Sequence, residues 1–338
     1  MLTSLAIGDV KITFVAHLKF VLGYLSFNNF SDSEFFAQSL NSQDFIILSQ
    51  IRWPRVLMAL STGVVLGVSG AAVQAIFRNP LADPNLIGIS SGALLGASLM
   101  VFASYNLGFA VLSSINNTAL ISGAAFLGAL IASMCVLMMS HWLTKPGVNQ
   151  VLYMLLLGFA LSAFTGAFAG LIKYFVDLQQ LRFLSFWQLG NLQPSSSVYL
   201  WFSLISAVIV LFLLMIHSSA LNLLALGEQQ AMYLGVKVES LQYRVLLICS
   251  VGVGVSVACV GLIGFVSLIA PHVVRMVTGA DNRWVIPLSG LTGAIILITS
   301  DVLARSLIDG ETLPVGIITA LVGAPWFIGV LMRKLKHS

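Results

Sequence analysis

Charge is the scarcest commodity in this 338-residue sequence: only 8% of its residues are Asp, Glu, Lys or Arg. A soluble domain carries about 25%, so a water-exposed globular surface is excluded. Cysteine is nearly absent too. Cys135, Cys249 and Cys259 all lie in apolar stretches, and an odd, scattered set rules out a disulfide framework. No stretch matches G-x-x-x-x-G-K-[ST], and no Gly is followed by Lys. The chain therefore has no P-loop and is not its own ATPase. The N-terminus lacks a basic flank leading into an apolar run, so it has no secretory signal pattern. His17, His141, His217, His272 and His337 stand apart from one another without metal-ligand spacing, which gives no metal centre and implies no cofactor. No His/Glu or paired-Asp constellation for an intramembrane enzyme lies in the apolar runs.

What is present is apolar: 58% hydrophobic residues and a mean hydropathy of +0.99. Together these predict an all-α polytopic membrane protein with one membrane domain over residues 1–338. A span needs about 20 apolar residues, and residues 1–50 supply none, because Asp9, Lys11, His17 and Lys19 interrupt the first candidate. That segment is expected to be non-spanning. After Arg52-Trp53-Pro54-Arg55, spans are predicted over residues 56–77, then two between 84 and 144 divided near Asn116-Asn117. Others follow at about 148–172 and 196–216, and the run 245–274, broken by Pro271-His272, gives one full span and a shorter helix. The last two are 284–304 and 314–332, for nine in all. Between the fourth and fifth, Lys173 to Pro194 reads as an external loop with a short helix.

The polar island of residues 217–244 interrupts this pattern. Within it, Gly227 and Gly235 bracket a two-turn helix, with Glu228 at its positive end and Ser240 placed to cap the next helix. On spacing alone the island is either a connecting loop or a docking helix for a soluble partner. If the basic tail Arg333, Lys334, Lys336 is cytoplasmic, the island is too, since four spans separate them. Nine of 16 basic residues then lie inside, a weak positive-inside bias. The excess suits a membrane surface and not nucleic acid, because the basic residues are scattered.

Several segments carry a resemblance. They are Arg52-Trp53-Pro54-Arg55, Gln74 through Asn79-Pro80-Leu81-Ala82-Asp83-Pro84, Gly88 through Ala93, Trp187 to Gly190, and Leu226 through Val236. Further on come Gly264 through Pro271-His272-Val273-Val274-Arg275, Gly279 through Arg283, Asp301 to Arg305, and Leu313-Pro314-Val315-Gly316-Ile317 through Phe327. In their order and spacing the sequence resembles the permease subunits of type II ABC importers, which take up iron–siderophore chelates, haem or cobalamin. The resemblance implies ten spans, both termini cytoplasmic, and a location in the bacterial inner membrane. It also implies separate ATPase subunits, a periplasmic substrate-binding protein, and a second permease subunit, identical or paralogous. Leu5 to Ile12 looks like the segment that follows the family's first span, so that span is expected upstream of Met1.

The resemblance assigns roles to residues. Glu228, Gln229, Gln230, Ala231, Met232, Leu234 and Gly235 would form a cytoplasmic coupling helix on the ATPase. Ala231, Met232 and Leu234 would be its apolar anchors. Arg52, Arg55 and Arg305 would receive carboxylates of the binding protein. Set against this, Arg52 and Arg55 also suit an interfacial helix end, and Arg305 an i, i+4 pair with Asp301. Lys173 and Asp177 admit an ion pair as well. Asn79, Pro80, Asp83, Pro84, Pro271, His272, Arg275, Pro314 and Gly316 mark helix breaks, with His272 structural. The activity expected is import of an iron chelate, foremost a ferric siderophore, with haem or cobalamin as the alternative. A proton-coupled carrier, suggested by Asp301 within a span, is the rival from another class.

Overall fold

The computed structural model describes residues 46–106, 117–143, 150–194, 196–308 and 312–337. The expected non-spanning segment lies outside these residues up to position 45. A π-helical turn, Ile47–Arg52, runs directly into α1, Trp53–Ile76. A 3-10 turn at Pro84–Ile87 leads to α2, Ile89–Asn106, then α3, Asn117–Leu143, α4, Gln150–Phe175, and α5, Leu178–Gln188. The second half comprises α6, Ser197–Ala225, α7, Glu228–Tyr233, α8, Val238–Val260, α9, Val266–Thr278, α10, Asn282–Ser306, and α11, Val315–His337.

Six of these helices are long and apolar enough to cross a membrane, and α2, α9 and α11 are shorter apolar helices. The nine spans expected from the sequence are thus nine apolar helices among the described residues. Their boundaries differ in two informative places. Helix α6 runs to Ala225, so His217 to Ala225, taken as the start of the polar island, continues the fifth span. The run 245–274 is broken at 261–265 and not at Pro271, which lies inside α9 with its neighbours helical around it.

Helix α1 forms the centre. Most of its side chains are buried, and α6, α8, α9 and α10 pack around it. Helices α2, α3 and α4 make a second group, joined to the first mainly through α8. Water supplies no driving force between helices in lipid, so close backbone approach and interhelical hydrogen bonds hold them. A Cβ on Gly67 would lie 2.0 Å from the Ser289 carbonyl oxygen of α10, and one on Gly63 2.5 Å from that of Gly293. The two backbones therefore meet across a stripe without side chains. The Ser61 and Ser203 hydroxyls bond at 2.6 Å between α1 and α6, and Ser91 donates to Ser162 at 3.1 Å between α2 and α4.

Helix α9 has 13 residues against 25 in its antiparallel neighbour α10, about 20 Å beside about 37 Å. Its N-terminus therefore ends about midway along α10, within the apolar depth. Irregular backbone is tolerated there only when its polar groups are satisfied inside the protein. Three loops do this for one another. The Asn191 N–H donates to Val260 O at 2.7 Å, and the Gly316 N–H donates to Leu189 O at 3.0 Å. A Cβ at Gly316 would stand 2.3 Å from that same Leu189 oxygen, so only glycine permits the bond. The stretch from Lys173 to Pro194 contains the expected short helix, α5, and packs here with Leu184 and Leu192 fully buried. Lys173 donates to Gln188 Oε1 at 3.0 Å and Asp177 caps α5 by accepting the Gln180 N–H. The two do not form the ion pair the sequence suggested, because capping takes the carboxylate.

Candidate coupling and docking surfaces

At one end of the bundle the chain reverses after α6 into the six-residue helix α7. Gly227 at its N-cap has φ 121, a conformation open to glycine. At the other terminus the Gly235 N–H bonds to Met232 O and the Val236 N–H to Ala231 O, with φ 87 at Gly235. This pair of bonds with a left-handed residue is the Schellman arrangement. The glycine bracket read from the sequence is therefore structural at both ends. The next helix starts earlier than expected: Lys237 occupies the N-cap, and Ser240 lies inside the first turn and caps nothing.

Arg78, in the turn after α1, donates to Glu228 Oε1 at 3.1 Å and ties α7 to the Asn79-Pro80-Leu81-Ala82-Asp83-Pro84 loop. Ala231 is completely buried against the chain's own core. It seats the helix in this subunit and leaves other side chains to face outward. Those are Met232 at 54% exposure, Leu234 at 57% and Tyr233 at 90%. Tyr233 was not among the expected anchors. Its signal was present, a large aromatic next to Met232 and Leu234, but helix phase could not be fixed from six residues.

The loop beneath is itself braced. Asn79 Oδ1 accepts the Leu81 N–H, and Asp83 accepts the Asn85 N–H at 2.7 Å and the Ser267 hydroxyl of α9. Burial pushes the Asp83 carboxyl above its ordinary range, against the downward pull of these hydrogen bonds. Arg275, at the foot of α9, donates to Gln74 Oε1 and to Ala71 O of α1. His272 meets the Trp326 ring of α11 edge-on, with centroids 5.3 Å apart. The signature residues thus clamp α1, α9 and α11 together near this end.

At the opposite end, Arg55 and Arg305 converge on Asp301, at 2.7 Å and 3.1 Å. The i, i+4 pair foreseen for Arg305 is present. The partner of Arg55 on α10 was not foreseeable, since the two residues are 246 positions apart. Asp301 is 1% exposed and Arg55 7%, and Arg52, three residues before Arg55, is buried too at 6%.

This architecture can be set beside known proteins. The model of the FecCD transport family matches residues 1–333. The chain belongs to the FecCD transport family. It is 40% identical over 301 residues to the hemin transport system permease protein of Yersinia pestis, covering 88% of this chain and 87% of that one. It is 36% identical over 296 residues to the vitamin B12 import system permease protein of Vibrio vulnificus, covering 88% and 86%. Among solved structures, an inward-facing ABC transporter of metal-chelate type superposes with a TM-score of 0.77 at 31% identity, over 98% of this chain and 94% of that one. As a FecCD-family permease, the chain is a transport subunit of an ABC importer and not an enzyme. It is a multi-pass inner-membrane protein, and family permeases work with separate ATPase and substrate-binding subunits.

Proposed function

We propose that this chain forms half of the translocation path of an ATP-driven importer for an iron chelate, with α7 as the helix that receives force from the ATPase subunit. The observation that carries this is the presentation of α7. A six-residue helix, fixed at both ends by glycines and locked underneath by Ala231 and Arg78, offers Met232, Tyr233 and Leu234 to the outside. Short helices with exposed apolar anchors fit grooves on soluble partners. Glu228 is engaged by Arg78, while Gln229 and Gln230 remain as polar contacts beside the anchors. On this basis the 217–244 region faces the cytoplasm.

The face with Arg52, Arg55 and Arg305 would then meet the substrate-binding protein. A docking carboxylate there competes with Asp301 for two of the three guanidinium groups. Arginine suits the exchange because its fork donates to two oxygens at once. The cargo assignment draws on the hemin permease and the metal-chelate type structure among the relatives. The vitamin B12 relative keeps a cobalamin as the second reading. A second permease subunit, this chain or a paralogue, completes the path.

Leu234→Asp, or deletion of Glu228 to Leu234, should uncouple ATP hydrolysis from uptake while the permease still inserts. Retained transport would return the island to a plain connecting loop. Titrating the cognate binding protein with ferric siderophores, haemin and cobalamin, followed by tryptophan fluorescence, identifies the cargo. Tight binding of cobalamin alone would replace the iron-chelate assignment.

A further inference from the structure

Arg275 is a cation that the coupling helix leaves unexplained. Its guanidinium donates to two neutral acceptors, Gln74 Oε1 and Ala71 O, and the three ion pairs among the described residues involve other arginines. A largely buried positive charge with no counter-charge is costly, and the cost is relieved when an anion arrives. Arg275 also opens onto a notch of about 290 Å³, shared with Gln74, Arg78, Asn79, Ala225 and Asn282. Asn282, 3% exposed, lines its inner wall. The carboxylates closest in the chain are committed elsewhere. Glu228 holds Arg78, Asp281 accepts from Asn222 and the Arg283 N–H, and Asp83 accepts from Ser267 and Asn85. The notch is therefore positive and polar.

Its position selects the ligand. Arg78 belongs both to the notch and to the ion pair that seats α7, so the notch continues the surface that α7 presents. We propose that it receives an Asp or Glu side chain of the ATPase subunit, held by Arg275 with Arg78 as second donor. This rests on the reading that α7 docks on that subunit. The contact has a mechanical consequence. Gln74 and Arg275 fasten the ends of α1 and α9, and Asp83 and Ser267 fasten the intervening loop to α9. A carboxylate seated there grips the central helix directly, so the ATPase would hold the permease at two points and not at α7 alone.

The test uses the full permease in nanodiscs with its ATPase subunit. Arg275→Gln should weaken ATPase binding about tenfold or more, as loss of one partner of a desolvated charge pair does. Arg275→Lys should recover part of the affinity, and the salt dependence of binding should flatten in Arg275→Gln. Because Arg275→Gln also removes the bond to Gln74, a second measurement leaves the arginine intact. A photo-crosslinking residue at the exposed notch position Ala280 should capture an ATPase peptide containing Asp or Glu. Unchanged affinity in a folded Arg275→Gln, or crosslinks from position 280 confined to the permease or to lipid, overturns the proposal. Leu234→Asp, run in parallel, separates the two ideas. If it alone weakens binding, the notch fails and α7 stands; if position 280 alone captures the ATPase, the notch stands without α7.

Discussion

Asp301 shows how much one side chain decides at the end of the bundle opposite α7. Sequence spacing offers it Arg305, one turn away, as a partner. The fold adds Arg55 from α1, so one buried carboxylate pairs with two guanidinium groups. Removing one member of such a buried set leaves charge uncompensated, at a cost of about 3–5 kcal/mol. Asp301→Asn should therefore lower the thermal midpoint in detergent sharply, and a midpoint unchanged from wild type would show that water reaches both arginines. Asp83 gives a prediction of the opposite sign. Its pKa is raised by burial in the folded protein. The stability it contributes is fully present below the unfolded carboxyl value of about 3.9 and is lost as pH rises through the folded value. Asp83→Asn keeps an oxygen to accept the Asn85 N–H and cannot ionise. Between about pH 4 and about pH 7 its thermal midpoint should fall less than that of wild type. Parallel curves for the two proteins would exclude this role for Asp83.

Among the elements, the α1–α10 contact tests whether the glycines serve packing. A Cβ at Gly67 meets a backbone oxygen at 2.0 Å, whereas one at Gly123 on α3 meets nothing within 4 Å. The same substitution should thus have opposite outcomes. Gly67→Ala forces the helices apart, a loss of about 1–3 kcal/mol, and Gly123→Ala gains up to about 1 kcal/mol of helix propensity. Thermal unfolding of both variants checks this, and equal midpoints would remove the packing argument. Of the elements themselves, the nine apolar helices and the short α5 and α7 were legible from charge gaps and breakers. The helix ends were less so. Pro271 reads as a break because proline removes a hydrogen bond, but as the sixth residue of α9 it forfeits the one bond to Ser267 O while the helix continues through it to Thr278. The true interruption at 261–265 follows the end of α8 at Val260, whose carbonyl accepts the Asn191 N–H, a partner far away in sequence.

For the whole molecule, the missing P-loop is as informative as any residue present. Energy must come from another subunit, and the short α-helices outside the apolar spans among the described residues are α5 and α7. Uptake of iron chelate into vesicles carrying this permease, its ATPase and its binding protein should require ATP and survive collapse of the proton gradient. Uptake driven by the gradient without ATP would instead support the proton-coupled carrier. What the sequence by itself determined was the membrane class, the number of apolar helices, the glycine-bracketed α7 and the family, because hydropathy and local breakers act over tens of residues at most. Only the tertiary structure decided that Ala231 faces inward while Tyr233 faces outward, that Arg55 already holds Asp301, and that Arg275 has no counter-charge among the described residues. Each of these depends on which side chains arrive from distant helices, and no local pattern encodes that.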